Sequence, residues 1–178
     1  MRSRYLAPWR IDLEIRPTVD RPLPVRIDRL VRAIAVALDA AGAPSPAAIG
    51  LILSDDAELA QLNERHLGHD GPTDVLSFPL FPPDALPSTP GRAAAAGFAG
   101  PPGRRLQLGD IVVSVERAIA QAREGRGGQT GDVRWSPADE LRLLVTHGAL
   151  HVCGWDHAEP DEEREMRGLE QRLLADGG

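Results

Sequence analysis

The sequence predicts an α+β fold. Four short segments have strand character, either an alternation of apolar and polar residues or a brief apolar run, and five longer segments carry helical spacing with recognisable starts and stops. A length of 178 residues, 42% of them hydrophobic, suffices for one sizeable core and leaves little room for a second, so a single domain over residues 1–178 is expected.

The first strand is read at Ile11, Leu13 and Ile15, which alternate with Asp12, Glu14 and Arg16 as far as Pro17. From Val25 to Ala41 the period changes: Ile27, Leu30, Val31, Ile34, Val36 and Leu38 fall near helical spacing, and Gly42 and Pro44 supply a stop. Ile49 to Leu53 is a short apolar strand. Asp55 and Glu58 then form a capping pair for a helix whose Leu59, Leu62 and Leu67 share one face. Val75 to Phe78 is a third strand, closed by Pro79.

Residues 80–106 differ in kind. Six prolines and the run Ala93–Ala96 build no packed element and predict a disordered or flap-like insertion. Leu108 to Val115 is the fourth strand, followed by a helix from Glu116 to Glu124. Ser136, Pro137 and Asp139 combine an N-cap, a proline at the first helical position and an acid three residues after the cap. Leu141, Leu144, Val145, Leu150 and Val152 carry that helix inward. The acids Asp161, Glu162 and Glu163 suit the start of a last helix running to about Leu174.

The net charge of −6 excludes a histone-like mode of nucleic-acid binding through bulk positive charge. That charge is unevenly placed: residues 151–178 hold 8 acids against 3 Arg, whereas 91–134 hold 7 Arg against 4 acids. A local basic field, to which Arg92, Arg104 and Arg105 of the insertion contribute, is therefore compatible with a nucleic-acid partner. The single cysteine, Cys153, cannot make an intramolecular disulfide, so the fold does not depend on an oxidising compartment. Met1 to Arg10 lacks the apolar stretch of a signal peptide, and no apolar run approaches the ~20 residues of a membrane helix. A cytoplasmic protein with no membrane association is expected.

The chemically informative stretch is Thr146 to His157, THGALHVCGWDH. His147 and His151 stand four apart on a predicted helix, so both imidazoles project from one face toward a single metal ion. Gly154 can end the helix at positive φ and let the chain return with His157 as a third ligand. This H-x3-H-x2-G-x2-H spacing is that of metzincin zinc proteases, and three neutral imidazoles suit one Zn²⁺ per chain with a fourth position open. Gly148 stands where a metzincin carries its general-base Glu, which counts against a zinc peptidase.

The residues 147–157, HGALHVCGWDH, resemble the H-G-x-L-H-L-x-G-Y-D-H signature of the YbeY endoribonucleases, the ribosomal RNA maturation factors of bacteria. Further blocks follow in the family's order: Leu62 and Asn63, GPTDVLSF at Gly71 to Phe78, LGDIVVS at Leu108 to Ser114, Glu140, and the stretch from Met166 to Glu170. The resemblance implies a metal-dependent endoribonuclease selective for single-stranded RNA. It also implies action on ribosomal RNA, especially maturation of the 16S rRNA 3′ end, and a part in ribosome quality control. The implied partners are single-stranded rRNA and the ribosome or its small subunit with associated factors. The implied architecture is a mixed sheet of about four strands with packed helices and a zincin-like metal-binding helix. Carried over by position, His147, His151 and His157 are the zinc ligands. The sequence departs from the family at His66 and Leu67, which with Gly68 stand where Tyr-Arg-Gly is usual; the family's Arg is absent, and Arg65 lies two residues earlier.

The expected catalytic group is therefore His147, His151 and His157, with Asp156 as candidate proton acceptor; the competing roles for Asp156 are a turn residue or a partner orienting an imidazole. Asp110 either begins its strand in solvent or supports the site from below, and the family block favours support. Cys153 is read as a small buried residue, with the alternative of a fourth ligand that would close the metal. Trp155 belongs either to the core or to a base-stacking surface. Thr73, Asp74 and Ser77 either line the cleft or simply make a turn and strand. Met166 is a packing residue, and His66 and His69 are exposed. The rival function is a ribosome assembly factor with structural zinc and no catalysis, a reading that Leu67 in place of the family's Arg supports.

Overall fold

The computed structural model describes residues 1–82, 85–86, 105–124, 135–157 and 159–176. Among these the chain forms β1 (Arg2–Leu6), β2 (Trp9–Ile15), α1 (Ile27–Ala40), β3 (Ala47–Ser54), α2 (Asp56–Leu67), β4 (Val75–Pro79), β5 (Leu106–Ser114), α3 (Val115–Glu124), α4 (Pro137–Val152) and α5 (Pro160–Asp176). The α+β class and mixed sheet hold, but the sheet has five strands, not four, in the order β1-β2-β3-β5-β4. The extra strand is β1. Every one of its residues is exposed, so RSRYL carries no buried face and hence no two-residue period to read. It forms because β2 offers it an antiparallel partner, with Ser3 opposite Asp12.

The three inner strands β2, β3 and β5 run parallel, and β4 closes the far edge antiparallel to β5. A β2-α1-β3 crossover is the connection that parallel neighbours require. Central β3, AAIGLILS, is covered on both sides and is accordingly an almost unbroken apolar run. On one face Ile11, Leu13, Ile49, Leu51, Ile111 and Val113 pack with Leu30, Ile34 and Leu38 of α1 and with Leu141, Val145 and Leu150 of α4. On the other face a smaller cluster of Leu59, Leu76 and Val112 seats α2, with Ile52, Leu62 and Phe78 around it.

Local chemistry fixes the helix ends. The Asp55 carboxylate accepts the Glu58 amide at 2.8 Å and caps α2. Glu58 does not complete the reciprocal box; it accepts from the Arg16 guanidinium at 2.9 Å, tying the end of β2 to α2. At α4 the full capping box forms between Ser136 and Asp139, with Pro137 in the first turn. Asn63, buried on α2, donates from Nδ2 to the Gly71 carbonyl at 2.9 Å and pins the loop that enters β4.

Of the predicted insertion, residues 83, 84 and 87–104 lie outside the described residues, with Arg92 and Arg104 among them. Its edges are packed: Leu86 is buried, Phe81 lies against the main core, and the Leu80 amide donates to the Leu108 carbonyl at 2.9 Å. Arg105, the residue before β5, is anchored to the strand ends. Its guanidinium donates to the carbonyls of Pro8 and Ala47, bracing the ends of two strands.

Candidate metal centre

α4 lies on β4 and β5 close to its C-terminus, and Gly148 makes that approach feasible. A Cβ at this position would come within 2.6 Å of Ile111 Cγ2 and 3.2 Å of Val75 Cγ2. Ser77 Oγ donates to the Gly148 carbonyl at 3.1 Å, so β4 grips the helix backbone between the two helical histidines. The position that a metzincin gives to its general base therefore faces the sheet here, not the site.

The helix ends in a Schellman motif. Gly154 has φ +86°, its amide bonds the His151 carbonyl at 2.9 Å, and the Trp155 amide reaches back to the Leu150 carbonyl at 3.1 Å. Only glycine adopts that conformation without strain. The chain thus reverses within three residues, and the Asp156 carboxylate accepts the His157 amide at 2.8 Å to fix the turn.

The three imidazoles converge as the spacing predicts. Ring centroids are 4.4 Å apart for His147 and His151, 5.0 Å for His151 and His157, and 5.6 Å for His147 and His157. Nε2 of His147 and Nε2 of His151 stand 3.0 Å apart, and one nitrogen from each of the three rings falls within 4.8 Å of the others. This cluster could hold a metal ion. Its chemistry fits that role: burial, and then the neighbouring imidazoles, lower His151 from 6.5 to about 4, so a neutral ring is presented at physiological pH.

That shift makes a prediction for the metal-free protein. Between pH 6.5 and about 4 the unfolded chain binds a proton at His151 that the folded chain does not. The stabilising contribution is complete above 6.5 and is lost as pH falls toward 4. Urea unfolding of metal-free protein at pH 7, 6 and 5 is expected to show that loss, and His151→Asn is expected to flatten it. Equal pH slopes in the two proteins would contradict the assignment.

One residue of the site is invisible to sequence spacing. Glu170, on α5 and only 5% exposed, places Oε1 2.7 Å from Nδ1 of His147. Its partner is 23 residues away, so although the Met166–Glu170 stretch is among the family blocks, no local pattern ties Glu170 to His147. A cavity of about 230 Å³ opens beside the triad, with His147, His157, Asp74, Glu140, Leu144 and Met166 in its walls.

Other expectations resolve individually. Asp74 does line this cavity, and its carboxylate also accepts from the Val75 amide and from Gln121 Nε2. Thr73 Oγ1 lies 3.4 Å from Asp74 Oδ1, a turn contact. Asp110 does not support the site from below. It sits opposite Gly50 in the sheet, on the face away from its neighbour Ile111, which meets α4. Gly50 is what makes room for it, since a Cβ there would fall 2.0 Å from Asp110 Oδ1. Burial there, together with the nearby Asp12, raises the Asp110 carboxyl above its usual range. Cys153 is fully buried, its thiol pushed up to about 12 by desolvation, and it stands outside the histidine cluster. Trp155, 5% exposed, is a core residue and presents no stacking surface. Met166 is likewise core, while His66 and His69 are exposed. Leu67, 57% exposed, ends α2, and neither it nor Arg65 lines the cavity.

Comparison with known proteins agrees with this geometry. Residues 20–178 match the sequence profile of the family described as Endoribonuclease YbeY. A protein of that name from Salinispora tropica is 47% identical over 139 residues, covering 78% of this chain and 80% of its own. Another, from Thermobifida fusca, is 40% identical over 153 residues, covering 86% of each chain. The solution structure of a Thermotoga maritima protein superposes with a TM-score of 0.52 at 21% identity, covering 94% of this chain and 88% of that one, which places the two in one fold. No helix among the described residues is long and apolar enough to cross a membrane. With a profile match over residues 20–178 and a relative 47% identical over 78% of its length, the chain belongs to the YbeY endoribonuclease family.

Proposed function

We propose that this protein is a zinc-dependent endoribonuclease that cleaves single-stranded RNA in the cytoplasm. Its task on this reading is ribosomal RNA processing, notably 16S rRNA 3′-end maturation, together with ribosome quality control. Its partners are the small ribosomal subunit and associated factors. The observation that carries the reading is the convergence of His147, His151 and His157 within 4.8 Å in a chain of an endoribonuclease family.

Three imidazoles suit Zn²⁺, whose Lewis acidity would polarise an oxygen of the phosphodiester or a water. The protein supplies the rest. His147 and His151 are held on a helix that Ser77 and Gly148 fix to the sheet, so the ligand set is preorganised. Gly148 offers no base. Asp156 is the candidate proton acceptor beside the triad; its Oδ1 accepts the His157 amide, the contact of a turn residue. A second reading, an assembly factor with structural zinc, draws on one observation: exposed Leu67 stands where the family has Arg.

The test is cleavage of a single-stranded fragment of small-subunit rRNA, and of the same fragment annealed into a duplex, by zinc-loaded protein. Cleavage of the single strand alone, abolished by His147→Ala, is expected. Equal residual activity in wild type and variant would favour the non-catalytic reading.

A further inference from the structure

Glu170 is a buried acid that touches the triad, and it comes from a helix outside the histidine signature. Its carboxylate meets Nδ1 of His147, while Nε2, on the opposite edge of the same ring, faces His151 at 3.0 Å. An ionised carboxylate only accepts hydrogen bonds. Accepting at 2.7 Å, the Glu170 carboxylate favours the His147 tautomer with its proton on Nδ1, which leaves the Nε2 lone pair directed into the triad. The contact is held from behind by packing. Met166 and Leu169 anchor α5 in the main core, and the Arg142 guanidinium on α4 donates to the Leu174 carbonyl at 3.1 Å.

We propose that Glu170 is a positioning residue for the metal, fixing the tautomer and orientation of His147 and so making α5 a working part of the centre. The proposal rests on the reading that the triad holds a metal ion. Carboxylate partners of this kind orient a ligating imidazole and increase its basicity, and their loss typically weakens metal binding ~10–100-fold. The consequence for the fold is reciprocal. A metal held by His147 favours the docked position of α5, and loosening α5 weakens the metal.

Two measurements test this without relying on turnover. Zinc affinity of the full chain is measured by chelator competition for wild type, Glu170→Gln and Glu170→Leu. The tautomer of His147 is read in metal-free protein by ¹⁵N NMR of the imidazole nitrogens. Wild type is expected to show protonated Nδ1. Glu170→Gln, which keeps an oxygen acceptor without the charge, is expected to retain that tautomer while losing about tenfold in affinity. Glu170→Leu is expected to lose the tautomer preference and up to about 100-fold in affinity. A merely structural role would lower the melting temperature of both variants but leave the zinc affinity of folded Glu170→Gln within about threefold of wild type, below the range such partners contribute; that result, or protonated Nε2 in wild type, overturns the proposal. Wild type that takes up no zinc would sink the triad reading and the proposal together, whereas zinc binding unaffected by either variant sinks only the proposal.

Discussion

His151→Ala protein is expected to keep its fold and lose its metal. Among the three histidines His151 is the central one, with ring centroids 4.4 Å from His147 and 5.0 Å from His157, whereas those two are 5.6 Å apart. Removing it leaves one helical imidazole and one on the following turn. Loss of a direct ligand must exceed the ~10–100-fold cost of losing an outer partner, so zinc affinity should fall by more than about 100-fold, and RNA cleavage with it. The fold should survive because His151 is in the last turn of α4 and Ala is the best helix former. At neutral pH the half-buried His151 imidazole is already uncharged, so Ala removes no ionised group from the fold. Metal analysis after dialysis, circular dichroism and a cleavage assay decide the matter together. Retained zinc and retained cleavage in this variant would remove the basis of the site.

Gly148→Glu, the change that would restore a metzincin-like sequence, is expected to destabilise the protein and to yield no peptidase. A helix-interior Gly normally costs ~1 kcal/mol relative to Ala, so its presence needs a reason. The reason is contact: the absent Cβ would lie 2.6 Å from Ile111 Cγ2, 3.2 Å from Val75 Cγ2 and 3.3 Å from Ser77 Oγ. Alanine would push α4 off the sheet and strain the Ser77 bond, an overpacking cost of ~1–3 kcal/mol against which the helix-propensity gain acts. Glutamate adds a charged group directed at an apolar sheet face, so a loss of roughly 3 kcal/mol or more is expected. Urea unfolding of the metal-free proteins measures both effects. A wild-type midpoint for Gly148→Glu would show that the helix stands farther from β4 and β5 than described.

How much of this was readable beforehand follows from the range of the interactions. The helix α4 and its terminal turn are specified by residues within a few positions of one another: the Ser136–Asp139 box, the histidines four apart, and Gly154 at the reversal. The convergence of the three histidines was legible for that reason. Glu170 was not, because its meaning depends on how α5 crosses α4. Strand β1 was not, because its stabilisation is pairing to β2 and not burial of a face. Asp110 was misread for a related reason. Within the apolar run of β5 nothing local says which face an acid takes, and the space that receives it is created by Gly50 on a neighbouring strand. The missing base at Gly148 was legible as a fact about chemistry, but its cause, the sheet beneath the helix, was not.

The central claim is that the three histidines bind a metal on which RNA cleavage depends. Its most direct test is a titration of chelator-stripped protein with zinc while the initial rate of cleavage of a single-stranded rRNA fragment is followed. Metal dependence of this kind means no cleavage without metal, a rate rising in proportion to bound zinc, and saturation at one equivalent per chain. Cleavage that proceeds undiminished in the stripped protein would contradict it.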